Sequence, residues 1–237
     1  MAFRNLPYGT AWTILLLAIS GCANGPPFSP VNWASLPSLW ADDEVKLSLV
    51  TPSERVAELQ ATSENAAGLD DQAKVRLVAE LAGQLPNEAD PLVREQIVRT
   101  LAALSMPQSI SALRMALGDS APTVRVAACN ALGKLPAPEA QAALLEALGS
   151  DTDIDVRLAA ADALKNFPDR QTVDGLAMAL DDRDPALQYR AMQTLREVTG
   201  QPLGNSVTAW RQYVRGENVA PAQPASVAQR LRDLAPF

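Results

Sequence analysis

The run Val124-Arg125-Val126-Ala127-Ala128-Cys129-Asn130-Ala131-Leu132 returns in the same order as Val156-Arg157-Leu158-Ala159-Ala160-Ala161-Asp162-Ala163-Leu164. Two further copies keep the phase on either side, Val93-Arg94 before the pair and Leu187-Gln188 after it. Seven residues beyond each Arg or Gln comes a leucine: Leu101, Leu132, Leu164, Leu195. Three further stands another apolar residue, Leu104, Leu135, Phe167 or Val198. Between them Ile97, Ala128, Ala160 and Ala191 align, as do Val98, Cys129, Ala161 and Met192. Apolar positions held at a fixed period of about 31 residues mark stacked helical units, none of which can bury its apolar face alone. The expected fold is all-α, an α-solenoid of helical hairpins.

Working outward, each unit reads as a first helix carrying the aligned Arg and Leu, a turn, and a second helix. The turns are Ser105-Met106-Pro107, Pro136-Ala137-Pro138 and Pro168-Asp169, where proline suits a helix start because its missing N–H has no intrahelical acceptor there. The second helices carry Ile110, Leu113 and Leu117, then Leu144 and Leu148, then Val173, Leu176 and Leu180; Gly118 and Gly149 read as residues closing two of them. Upstream, Ser53 reads as an N-cap ahead of Glu54, and Val75, Leu77, Val78, Leu81 and Leu85 fall at helical spacing in a divergent opening hairpin. Downstream, Trp210 and Tyr213 lie three apart on a short helix over residues 206–214, placed to cover the apolar side of the last unit. Val227, Ala228, Leu231 and Leu234 give one further helical pattern near the C-terminus.

The Asp/Pro-x-Val-Arg-x-x-Ala-x-x-Ala-Leu run resembles HEAT-like repeats of the short bacterial type over residues 54–215. The resemblance implies a ladder of Asp and Arg at the repeat junctions. By position its members would be Asp90, Asp153 and Asp184 with Arg94, Arg125 and Arg157, broken at Ala121 and Gln188. Two enzyme-linked relatives of the repeat are set aside. Deoxyhypusine hydroxylase needs His-Glu iron ligands, and phycobilisome lyase subunits need chromophore-specific motifs; neither is present here.

Residues 1–21 read as a targeting segment, with Arg4 the only charge and an apolar run over 11–19 too short to span a bilayer. Ile19-Ser20-Gly21-Cys22 resembles the bacterial lipobox, which implies cleavage before Cys22 and lipid, palmitate included, on the new terminus. Residues 22–50 form a Pro-rich tether expected to be disordered; its Trp33 and Trp40 suit docking on the solenoid, a lipid interface, or neither. The organisation is thus leader 1–21, tether 22–50, solenoid 51–215 and tail 216–237.

Composition excludes several functions. The net charge of −7 repels phosphate backbones, so nucleic acid is not an expected partner. No histidine occurs, which removes His-based catalysis and His-ligated metals. Asp151-Thr152-Asp153-Ile154-Asp155 begins like a calcium loop but has Val156 at the place where the turn wants Gly, so it reads as a helix start. Cys129 sits at an aligned apolar position and reads as a small buried hydrophobe. No catalytic residue, metal ligand or cofactor is expected. The expectation is a scaffold, anchored by lipid to the envelope membrane and facing the periplasm, that binds another protein or organises a complex. Its binding points are Arg114, Met115, Glu146, Asp174 and Met178 on the inner face made by the second helices. The rival readings are an enzyme's accessory subunit holding a chromophore or small ligand in that groove, and a purely structural envelope protein.

Overall fold

The structure, a computed structural model, describes residues 51–220. The leader, Cys22, the tether with Trp33 and Trp40, and the segment from Val227 to Leu234 lie outside the described residues. Among the described residues ten α-helices follow one another along the chain. The first helices are α1 (Pro52–Glu64), α3 (Pro91–Leu104), α5 (Pro122–Leu132), α7 (Ile154–Ala163) and α9 (Pro185–Thr199). The second helices are α2 (Asp71–Gln84), α4 (Ile110–Ala116), α6 (Pro138–Ser150), α8 (Arg170–Ala179) and α10 (Val207–Val214). Successive first helices pack on one another, and α4, α6, α8 and α10 do the same in a second layer. The result is an all-α solenoid of five hairpins, without a strand among the described residues.

The aligned positions explain the stack. Val93, Val124, Val156 and Leu187 are closed from solvent, as are Ile97, Ala128, Ala160 and Ala191, and the four phase leucines. Alanine at the second of these sites lets neighbouring first helices approach closely, and leucine seven beyond the ladder position fills the space beneath. Gly133 shows how tight the junction is: a Cβ there would stand 2.8 Å from the Cβ of Ala163, and its carbonyl accepts a 2.9 Å bond from Asn166 Nδ2. Cys129 is fully buried at its helix position, and burial pushes its thiol pKa up to about 12, so it packs as an inert hydrophobe.

Several local expectations are corrected. Thr51, not Ser53, caps α1: its Oγ1 accepts from the Glu54 N–H, and the Glu54 carboxylate accepts a 2.7 Å bond from the Thr51 backbone N–H, a capping box. Of the apolar residues at helical spacing along α2 and its C-cap, Val75 is 39% exposed, while Val78, Leu81 and Leu85 are buried. Gly149 lies inside α6 and Gly118 lies two residues past α4; neither adopts the left-handed backbone of a closing glycine. Ser105, at φ 53°, takes that conformation after α3, and Gly200, at φ 69°, after α9.

The junction ladder exists, but its acids are not those expected. Arg94 Nε and Nη2 donate to both oxygens of Asp119 at 2.7 and 2.8 Å, and Arg125 grips Asp151 in the same two-pronged way at 2.9 Å each. Arg157 reaches Asp182 through Nη1 alone at 2.5 Å, and Arg55 pairs with Glu88. Each arginine therefore binds the acid that precedes the next first helix. Asp90, Asp153 and Asp184 instead cap those helices, accepting backbone N–H bonds from Leu92, from Asp155 and Val156, and from Ala186. Ala121 leaves α5 without a side-chain cap but does not interrupt the ladder. The true rungs, Glu88, Asp119, Asp151 and Asp182, recur at the same period as the aligned Val-Arg pairs themselves.

Electrostatics follows from this geometry. The Arg94 hydrogen bond is the main cause that holds the Asp119 carboxyl below its ordinary range. For Asp151 burial pushes upward, but the bond from Arg125 and the N–H of Asp153 outweigh it, so the net shift is also downward. Asp182 is lowered chiefly by the backbone N–H of Asp184, against burial and with help from Arg157. Asp151 and Asp153 are thus committed to ladder and cap, and among the described residues no cluster of acidic or sulfur side chains is arranged to hold a metal ion.

The two ends are closed differently. At the C-terminal end Trp210 is fully buried, its Nε1 donating to Gly204 O at 2.9 Å, with Tyr213 edge-on at 5.8 Å between ring centres. Arg211 donates to Leu180 O at 2.8 Å, tying α10 to the end of α8. At the N-terminal end α1 buries no residue fully: Glu58, Thr62 and Asn65 occupy the places that are Ile97, Leu101 and Leu104 in the next unit. A terminal unit needs such a polar outer surface.

Candidate functional site

The second-helix layer carries the sequence-predicted positions, and the structure divides them between two neighbouring grooves. Arg114 and Met115 on α4 face Glu146 on α6 across a groove of about 550 Å³. Asp174 and Met178 on α8 line the next groove, of about 420 Å³, between α6 and α8. Met115, Glu146 and Met178 stand one repeat period apart, so they hold one equivalent place on three successive second helices.

Their exposure is the unusual feature. Met115 is 59% and Met178 76% exposed, in a layer whose other aligned apolar side chains, Leu113, Leu144 and Leu176, are closed from solvent. Unbranched methionine side chains adapt to irregular partners at small cost. Asp174 is engaged by Arg170 at 2.8 Å in an exposed i, i+4 pair. Among the described residues Arg114 and Glu146 have no ion-pair partner, so each presents a free charge beside an exposed methionine.

Sequence reasoning missed what shapes the second groove. Gly175 lies in the middle of α8 with Leu145 of α6 against it: a Cβ would stand 2.3 Å from Leu145 Cδ2, so the leucine side chain would have to turn aside for a larger residue. Gly149 opens onto free space at the end of α6. A glycine inside an otherwise helical pattern is the sequence signal for such close approach. Gln141 was missed as well. It is buried, and its Nε2 donates to Asp169 at 2.7 Å and to Thr172 Oγ1 at 3.0 Å, pinning α6 to the start of α8. Asp169 also caps α8 through the Thr172 N–H, the main cause of its lowered pKa.

No helix among the described residues is long and apolar enough to cross a membrane. No curated protein matches the chain. The family model described as HEAT repeats matches residues 78–165 and again 142–208, more than half of the sequence. Such repeats typically build non-catalytic scaffolds for protein–protein contact. With the in-phase core, the junction ladder and the paired helical layers, this chain belongs to the HEAT-repeat family.

Proposed function

We propose that this protein is a lipid-anchored, non-enzymatic adaptor, facing the periplasm, that binds another protein across its second-helix layer. The observation that carries the reading is the in-phase column of Met115, Glu146 and Met178 over two open grooves, its methionines exposed while the in-phase positions of the first helices are packed. Exposed apolar side chains grouped on one face of a soluble fold favour a partner surface. The anchor rests on the Ile19-Ser20-Gly21-Cys22 triplet-and-cysteine pattern.

The binding test is cross-linked affinity capture from membranes with the parent and with Met115→Asp/Met178→Asp. A stoichiometric protein retained by the parent and lost by the double variant supports the adaptor. Equal capture by both sinks the face assignment, and a coloured or small-molecule co-purifier would favour a ligand-holding accessory subunit. The anchor is tested separately by Cys22→Ser and detergent-phase fractionation. Loss from the detergent phase is expected; unchanged partitioning would mean that the apolar run itself is retained as the anchor.

A further inference from the structure

Resting on the adaptor reading, we propose that the partner presents an amphipathic helix that crosses α4, α6 and α8, with an apolar, a basic and a second apolar residue at heptad spacing. Met115, Glu146 and Met178 hold one equivalent place on three successive second helices, so the face offers an apolar, an acidic and an apolar point in a row. Packed helices lie roughly 8–10 Å apart, which sets the spacing of the three points. Seven residues of an α-helix rise about 10.5 Å, and a heptad drifts by only about 20° around the axis. Residues i, i+7 and i+14 of one helix therefore reach all three points from a single face. An extended strand does not: three of its residues cover about 10 Å, but positions i and i+3 point to opposite sides. A polyproline helix repeats at about 9.3 Å and matches the spacing, yet such segments dock on aromatic side chains. Among the described residues none that lines either groove is aromatic.

Charge fixes the middle residue. Asp174 is held by Arg170 and Asp182 by Arg157, so neither asks for a cation from outside. Glu146 is exposed and has no ion-pair partner among the described residues, and it stands between the two methionines, where a base at i+7 meets it. The net charge of −7 favours a basic segment over an acidic one in the same sense. Arg114 breaks the symmetry of the pattern. It is exposed beside Met115, also unpaired among the described residues, and calls for an acid flanking one of the two apolar residues of the helix. That acid sets which end of the helix lies over α4. The methionines accept apolar residues of differing shape, so the spacing and the central charge carry the selectivity.

The test selects a displayed library of a helical host peptide, its exposed positions randomised, on the full chain carrying Cys22→Ser. Enriched peptides are expected to have apolar residues at i and i+14 and Lys or Arg at i+7, and to lose their enrichment on Met115→Asp/Met178→Asp. Selection on Glu146→Lys should exchange the residue at i+7 for Asp or Glu. A proline placed at i+5 of an enriched peptide should weaken its binding by about tenfold or more, because it breaks the helix. Enriched peptides without the heptad spacing would overturn the proposal, as would a basic residue kept at i+7 on Glu146→Lys or binding that survives the proline. No enrichment over Met115→Asp/Met178→Asp would overturn it too. Capture of a natural partner is a separate measurement. A partner held by the parent and lost by the double variant, with no heptad peptide selected, leaves the adaptor standing and removes the crossing helix; if capture fails as well, both readings fall.

Discussion

In the first-helix layer Val93, Val124 and Val156 are closed from solvent and Arg94 and Arg125 are each clamped by two hydrogen bonds to the following repeat. In the second-helix layer Met115 and Met178 stand open above grooves, and Arg114 and Glu146 have no ion-pair partner among the described residues. Both layers come from the same repeated unit, so the contrast reflects a division of labour. One helix of each hairpin spends its side chains on its neighbours; the other keeps part of its surface uncommitted. Holding the grooves at a fixed spacing requires the first layer to be rigid, and rigidity there leaves the second layer free to vary.

The contrast breaks hardest where the first layer is hollowed. Leu132→Ala or Leu164→Ala should each cost about 2–5 kcal/mol, read from denaturant midpoints, because both side chains are fully buried. Unchanged midpoints would show that these leucines do not support the stack. Gly133→Ala tests the junction from the other side. Its methyl would press on Ala163, and a loss of about 1–3 kcal/mol is expected from overpacking.

Removing a rung comes next. Arg125→Met strands the Asp151 carboxylate, which sits with its partner near the surface but mostly covered, so about 1–2 kcal/mol should be lost. The same rungs set an acid limit. Asp119, Asp151 and Asp182 have carboxyl pKa values lower in the folded chain than the unfolded value of about 3.9, so their stabilisation is present above that pH. It is lost as pH falls through the folded values. The thermal midpoint should therefore drop below about pH 4, and Asp119→Asn/Asp151→Asn should flatten that drop. A slope identical in parent and variant would remove the rungs from the explanation.

The mildest changes sharpen the comparison. Ala121→Ser supplies the cap that α5 lacks and should add about 1 kcal/mol in the first layer. Met178→Asp, on the exposed face, should move stability by less than about 0.5 kcal/mol while abolishing partner capture. Equal stability losses for Met178→Asp and Leu132→Ala would erase the division between layers.

The legible part of this fold was the part that repeats. Burial at Leu101, Leu132, Leu164 and Leu195 follows directly from period and helical spacing. The opening hairpin was harder to place. Arg55 is the first rung, but it lies further ahead of Arg94 than the repeat period allows, and polar Glu58, Thr62 and Asn65 replace the aligned apolar side chains. The ladder acids are not legible by position because Asp90, Asp153 and Asp184 each stand four residues, about one helical turn, ahead of Arg94, Arg157 and Gln188. A guanidinium reaching forward meets the next repeat instead, and there the nearest acid sits two residues before the cap. At the candidate site, Met115 and Met178 were legible as large apolar side chains on helix faces. The groove floor at Gly175 and the buried Gln141 were not, because each depends on a contact between helices of neighbouring repeats.

Gln188 gives the series its last term. It stands where the repeats have arginine and keeps only the inward half of that residue's work, a 2.7 Å bond from its amide to Asp182 O. Arginine at this place holds its own loop and also hands a positive charge to the unit ahead; the neutral, shorter amide hands on nothing. Read from Arg55 forward, the molecule counts its hairpins in charge transfers and stops counting at one amide. A further hairpin, or a second copy set end to end, would meet a neutral amide at that ladder position.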